Sequence, residues 1–526
     1  MAVKPRITEQ LTAKARALTS REALASDNAL LLAIAGVSFV VHLLVAGNYG
    51  YFRDELYYIA AGRHPAFGYV DFPPMIAVLG GILNVLTGDN LVAIHVVSAL
   101  AAAALIVVTG LMARELGGGR FAQGLAAAAS AVAVVYIATG SIFSMDVLDQ
   151  LWWGLAAYVV IRLLKRDAPR LWLLFGLIAG LGLFTKLTML FFGLGLVIGL
   201  LATPARKYFR SWEIYAGGAI AFAFLLPYLL WNAVNGWPTP AFWTHYGGLT
   251  GGGPLDFVAN QLLIANPLSA PLWIAGLVFY LRLSAGKPYR ALGWAYVALL
   301  VLFLLLHVKP YFLAPAYAML FAGGAVTFER SNLARVRAWT RPAYVAALVL
   351  VGLLLTPLAM PLLPPAAYAS SYGSLSFLGN SGAGQSTQGV FPQYLGDRFG
   401  WDTMAASVAR AYANLPADQR AQVCVFVANY GEAAGLEFYR SQDHLPPIIS
   451  GHNNYYFWGP GACSGKVILA VGLSQGDLQQ SFASVSQVGF VQCQYCVADE
   501  NDLPIYLATQ PRFPLAHLWP STKHFN

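Results

Sequence analysis

The chain has 526 residues, of which 58% are hydrophobic and only 11% charged, with a net charge of +8. A soluble domain carries about 25% charged residues, so long apolar runs at this low charge exclude an ordinary soluble protein and point to a polytopic α-helical membrane protein. The basic excess is no sign of nucleic-acid binding, because it is spread over short separated clusters instead of one patch.

A polar, basic segment, 1–28, precedes the first apolar run at 29–47. That run is longer than the apolar core of a typical cleaved signal peptide and reads as a retained signal anchor. Further spans are expected near 91–113, 121–139, 147–164, 171–185, 187–203, 213–231, 268–283, 291–307, 311–328 and 342–362, eleven in all. The run 171–203 is too long for one helix, and Lys186 near its middle predicts a tight hairpin with the lysine at its turn. Clusters at 4–21, 114–120, 162–170, 206–210, 282–290 and 330–341 hold 21 of the 32 Lys and Arg residues. The alternate boundaries hold only Arg53, Arg63, Lys186 and Lys309. This alternation is the positive-inside pattern. It predicts a cytoplasmic N-terminus and an extracytoplasmic C-terminal region, with 29–362 as the membrane domain.

Two loops on the predicted outer face are long. The first, 48–90, with loop helices expected at 50–88, contains DELYYIAA and, after Pro73-Pro74, an apolar stretch. Both pieces predict helices lying at the membrane surface. The second, 232–267, is rich in Gly, Trp and Pro and predicts an irregular, mobile loop with aromatic anchors. Residues 363–400 read as a linker. From 401 to 526 the pattern alternates: a helix at 401–415, a strand at 423–430, a helix at 431–440, a strand at 466–471, a helix at 476–485 and a strand at 504–509. Such alternation predicts a small α/β domain. All four cysteines, Cys424, Cys463, Cys493 and Cys496, lie there, so two disulfides in any of three pairings are open. A zinc or redox use of Cys493-x-x-Cys496 is weaker, since no second such pair exists.

Ionisable groups at a membrane boundary are costly and mark candidate functional sites. Asp54 and Glu55 follow the first span, beside Arg53. Asp54 could cap a helix beginning at Glu55, or one carboxylate could face a cavity as a general base. Asp146 and Asp149 open a later span and share a helix face; Ser144 as a cap accounts for one of them, not both. Lys186 and Lys309, with Arg53, could form the only basic patch near these acids, as an anionic lipid phosphate requires. Asp71, before the two prolines, could cap a helix or position substrate; Tyr57, Tyr58 and His64 could position substrate, and His64, like His245, could equally be a ligand, a base or an interface residue. His42 is expected to pack between helices, and His245 is open. No residue spacing specifies a metal; a divalent cation between the acidic spots is an open alternative.

These motifs, in this order, resemble the GT-C superfamily of membrane glycosyltransferases, in particular bacterial family 39-like and aminoarabinose-transferase-like enzymes and the related protein O-mannosyltransferases. The resemblance rests on Asp54-Glu55 after the first span, Gly68-Tyr69-Val70-Asp71-Phe72-Pro73-Pro74, Ser144-Met145-Asp146, Phe184-Thr185-Lys186, Trp231-Asn232 with Gly236-Trp237, and Lys309-Pro310 with Pro315. It covers about residues 29–330; Met145 stands where the family often has proline. The resemblance implies a bacterial inner-membrane enzyme whose donor is a polyprenyl-phosphate-linked sugar and whose acceptor is an extracytoplasmic hydroxyl. It implies Asp54 as base, Asp146 and Asp149 orienting hydroxyls, and Arg53, Lys186 and Lys309 on the lipid phosphate. The rival expectation is a transporter or flippase, since membrane acids also relay protons. The charges, however, cluster at one face, and no inverted repeat is evident.

Overall fold

The structure, a computed structural model, describes residues 4–246, 253–331, 339–375 and 389–525, with side chains from residue 24 onward apart from 245 and 246. His245 therefore lies outside the described side chains. The chain opens with α1 (Lys4–Val45), α2 (Arg53–Arg63), α3 (Met75–Thr87), α4 (Leu91–Glu115), α5 (Arg120–Ala131), α6 (Val134–Gly140) and α7 (Met145–Arg166). Next come α8 (Leu171–Thr185), α9 (Thr188–Leu201), α10 (Trp212–Val234), α11 (Pro238–Tyr246), α12 (Pro254–Ile264) and α13 (Ala270–Leu281). The bundle closes with α14 (Arg290–Leu306), α15 (Tyr317–Arg330) and α16 (Thr340–Ala359).

Among the described residues seven helices are long and apolar enough to cross a membrane, or ten if each sharply bent pair counts as one span. Two shorter apolar helices, α3 and α8, add to these, so the expected eleven spans are not reproduced as eleven straight helices. The break expected at Lys186 is present between α8 and α9, but the two helices do not pack closely on each other. α8 packs along α10, α9 packs along α14, and the two touch only sparingly. Small residues explain the tight α8–α10 contact: a Cβ at Gly176 would collide with the backbone of Gly217, and such residues let membrane helices approach closely. His42 packs as expected, with Nε2 3.2 Å from the Ile137 carbonyl.

The first long loop does form two helices, but α2 is no surface helix. Residues Glu55 through Ala61 are all buried, because α2 lies between α3 and a helix of the C-terminal domain. α3 keeps an exposed apolar edge, with Val78, Ile82, Val85 and Leu86 uncovered. The second loop, expected to be irregular, carries α11 and α12, each beginning at a proline. Proline's fixed φ suits a first helical turn.

The C-terminal domain is α/β. It holds α17 (Trp401–Ala413), β1 (Val423–Val427), α18 (Tyr430–Asp443), β2 (Ile448–Ser450), α19 (Asn453–Trp458), β3 (Val467–Val471), α20 (Gln475–Ser481), β4 (Phe482–Val491) and β5 (Leu503–Pro511). The sheet order is β2-β1-β3-β5-β4. β1 pairs in parallel with β2 and β3, while β5 runs antiparallel to β3 and β4. The helix expected at 476–485 stops at Ser481, and the chain continues as the edge strand β4. That strand is mostly exposed, so it lacks the apolar alternation that marks a half-buried strand. One core cluster joins α2 and α3 to α17, α18 and the sheet, so membrane and C-terminal domains share packing.

Only one disulfide forms, Cys424–Cys463. Cys493 and Cys496 are free; their short turn is held instead by the Cys496 amide donating to Cys493 Sγ at 3.1 Å. Cys424 and Cys463 are 39 residues apart, and a loop of that length constrains the unfolded chain by about 4 kcal/mol. Cys424→Ala/Cys463→Ala is expected to lower the stability of the C-terminal domain by that order, read by thermal unfolding.

Candidate functional site

A cavity of about 130 Å³ opens where the loop helices, the first turn of α7 and the C-terminal domain meet. Asp54, Tyr57, Tyr58, Asp71, Met145, Asp146 and Lys186 line it, together with Phe242, Trp243, Tyr311 and Phe312. Tyr430 and Asn453 enter from the C-terminal domain. The two acidic spots seen in the sequence thus share one small cavity.

The first turn of α2 divides its charges among separate tasks. Glu55, not Asp54, satisfies the free helix N-terminus: its Oε2 accepts the Phe52 amide at 2.8 Å. Its Oε1 accepts the Phe143 amide at 2.7 Å and faces His95 Nε2 at 2.7 Å. Glu55 is fully buried; burial opposes its charge, but His95, Arg398 and the Phe52 amide together hold its pKa below the usual value. It does not face the cavity, which corrects its expected catalytic role. With the cap supplied by Glu55, Asp54 is released to the cavity wall, where Oδ1 accepts the Tyr430 hydroxyl at 2.8 Å. Burial raises the Asp54 pKa, and Asp146 adds to this; Tyr430, Arg53 and Lys309 oppose it.

Arg53 also departs from expectation. Its guanidinium reaches Asp397 at 2.9 Å and Glu500 at 3.2 Å, so it clamps the C-terminal domain and lies outside the cavity lining. Residues 389–400, expected as part of a linker, take part in this joint. Arg398 donates to the Ser141 carbonyl at 2.7 Å.

At the start of α7, Ser144 caps as expected, accepting the Asp146 amide at 3.3 Å. Asp146 pairs with Lys186, whose Nζ also lies 4.9 Å from the Phe312 ring centroid and 5.3 Å from that of Tyr311. Asp149, a turn deeper, is buried and accepts the Thr188 hydroxyl at 2.7 Å; it steadies the start of α9 and does not line the cavity. Lys309 is buried and is not among the residues that line the cavity. Burial brings its ammonium down to about 8, against the pull of Asp54 and Asp146. His64 stacks on Trp458 at 4.3 Å with Nδ1 3.0 Å from the Ala60 carbonyl, away from the cavity. No group of three His, Cys, Asp or Glu side chains that could hold a metal ion occurs among the described residues. The acid at 146 is already engaged by Lys186, so the donor set does not fit the divalent cation considered above.

Asp71 accepts from the Tyr57 hydroxyl at 3.2 Å and from Asn454 Nδ2 at 3.3 Å. Burial, and secondarily Asp54, pushes its pKa up to about 7. A carboxyl raised in the folded state favours folding while it is protonated. That contribution is complete below the ordinary carboxylate pKa and is lost as pH rises through about 7. Asp71→Asn is therefore expected to gain stability over the native protein between about pH 4 and pH 7, by a few kcal/mol; unfolding temperatures measured across that range check it.

Tyr430 and Asn453 were beyond sequence reasoning as site residues, since they lie more than 370 residues from Asp54 in the chain. The one local signal was Asn429-x-x-Glu432, a capping box that starts α18 at Tyr430.

The chain shares its fold with solved membrane-protein structures over nearly its whole length. It is similar to ArnT from Cupriavidus metallidurans in the apo state, with a TM-score of 0.61 and 16% identity over 92% of this chain and 98% of that one. ArnT from the same organism bound to undecaprenyl phosphate aligns with a TM-score of 0.54 and 16% identity, over 91% of this chain and 97% of that one. Residues 71–231 match the dolichyl-phosphate-mannose-protein mannosyltransferase family model. No curated protein matches the chain by sequence.

Proposed function

We propose that the protein is a membrane glycosyltransferase that moves a sugar from a polyprenyl-phosphate-linked donor to an extracytoplasmic acceptor hydroxyl. The observation that carries this reading is the single cavity holding the Asp54 carboxylate and the Lys186–Asp146 pair. A carboxylate with a raised pKa is a better base than an exposed one. The acceptor oxygen bonds to the anomeric carbon while the bond from that carbon to the phosphate oxygen breaks. The electron pair leaves with the lipid phosphate, and the acceptor proton goes to Asp54. Lys186 and the buried Lys309 stabilise the charge on the departing phosphate, so no acid need protonate it. A single displacement of this kind inverts the anomeric centre. Asp146 anchors Lys186 at the wall, and Asp71, Tyr57 and Tyr58 position hydroxyls.

The fold shared with ArnT, and the undecaprenyl phosphate in one ArnT structure, support a polyprenyl-phosphate donor. The match to mannosyltransferases over 71–231 supports sugar transfer. The alternation of basic clusters supports a cavity on the outer face of a bacterial inner membrane, with the N-terminus cytoplasmic and the C-terminal domain extracytoplasmic.

The purified protein, given labelled undecaprenyl-phosphate sugars and cell-envelope acceptors, is expected to release undecaprenyl phosphate and pass the label to an acceptor. Movement of a labelled solute across liposomes that contain no lipid-linked donor, without any label transfer, would overturn the reading in favour of a transporter.

A further inference from the structure

Asn453, the first residue of α19, lines the cavity beside Asp54, Asp71 and Tyr430. Its side chain is fully buried. Neither its carboxamide oxygen nor its nitrogen has a hydrogen-bond partner. Buried polar atoms are nearly always paired, and here both ends of one amide are not. The backbone at Asn453 is left-handed, with φ 45°, a conformation that Asn tolerates better than most residues. Asn454 provides a contrast. Its carboxamide oxygen accepts the Val70 amide at 2.9 Å, and its nitrogen donates to Tyr57 and Asp71. The fold thus satisfies one asparagine and leaves the next one, in the cavity wall, unsatisfied.

We infer that Asn453 binds the donor's sugar through two adjacent hydroxyls, its Nδ2 donating to one and its Oδ1 accepting from the other. An amide offers both a donor and an acceptor, which matches an uncharged polyol; a phosphate offers only acceptors and suits Lys186 and Lys309. This inference rests on the proposed glycosyl transfer and gives the C-terminal domain a direct part in sugar recognition.

The test uses the full chain with Asn453→Gly and Asn453→Asp. Glycine adopts the left-handed backbone without strain, and aspartate keeps the shape and the acceptor but loses the donor. The probes are undecaprenyl-phosphate mannose, glucose and arabinose with their monodeoxy counterparts. The readouts are kcat and KM from release of undecaprenyl phosphate, together with the unfolding temperature. A site built to hydrogen-bond a hydroxyl rejects the analogue lacking it. The native protein is therefore expected to prefer hydroxylated donors by about tenfold or more, and Asn453→Gly to bring that preference close to unity. The unfolding temperature should not fall, because the lost side chain makes no hydrogen bond. An unchanged preference in Asn453→Gly overturns the inference, as does lost activity that comes with a lowered unfolding temperature and an intact preference. Flattening seen only toward deoxygenated acceptors also overturns the assignment to the donor. Absence of any sugar transfer by the native protein sinks the underlying reading, whereas transfer by the native protein beside an unaffected Asn453→Gly sinks this inference alone.

Discussion

Asp54→Asn is expected to reduce sugar transfer by roughly 10²–10⁴-fold, the usual worth of a positioned general base, while leaving the protein folded. Asparagine has the same shape, and its carbonyl oxygen can still accept the Tyr430 hydroxyl that now reaches Asp54 Oδ1. What it loses is the ability to take a proton. Stability provides an internal control. Burial raises the Asp54 pKa, so its charged form weighs against the folded state, and this penalty grows as pH rises through the folded pKa. The asparagine variant should thus be at least as stable as the native protein at alkaline pH. Loss of transfer with unfolding temperature unchanged or raised assigns the defect to chemistry. Retention of full activity removes Asp54 as the base.

Arg53→Met is expected to give the largest structural effect, loosening the joint between membrane and C-terminal domains. The guanidinium bridges Asp397 and Glu500, both buried. Burial already raises Asp397 to about 6 and Glu500 to about 7 with Arg53 in place. Removing one member of a buried ion pair typically costs about 3–5 kcal/mol, because the other charge is left uncompensated. Both acids here would be stranded. Protonation relieves them, so the deficit should shrink at acidic pH and grow as pH rises. Thermal unfolding of Arg53→Met at two pH values checks the sign. Adding Asp397→Asn and Glu500→Gln removes the stranded charges and should recover much of the loss. An equal deficit at both pH values, or no recovery in the triple variant, would mean that Arg53 acts through packing and not through charge. Transfer should also fall in Arg53→Met, since Asp54 is its neighbour and Tyr430 crosses the same joint.

The membrane class, the two helices of the first loop and the α/β domain were legible in the chain, because apolar runs and strand–helix alternation are local signals. So was the set Asp54, Asp71, Asp146 and Lys186, whose charges stand out against an apolar background. Edge strand β4 was not legible, being exposed on most of its length. The division of labour at 53–55 was equally hidden. Three adjacent charges look alike in sequence, yet one clamps a domain, one faces the cavity and one caps the helix.

Residue type and spacing alone determined that this chain spans a membrane and which of its charges stand where charge is expensive. Only the tertiary structure decided which of them meet. A helix turns each successive residue by about 100°, so neighbours at 53, 54 and 55 point to three different partners. Tyr430 and Asn453 reach the cavity because a distant domain packs onto α2. That packing depends on three-dimensional complementarity, which no local pattern records.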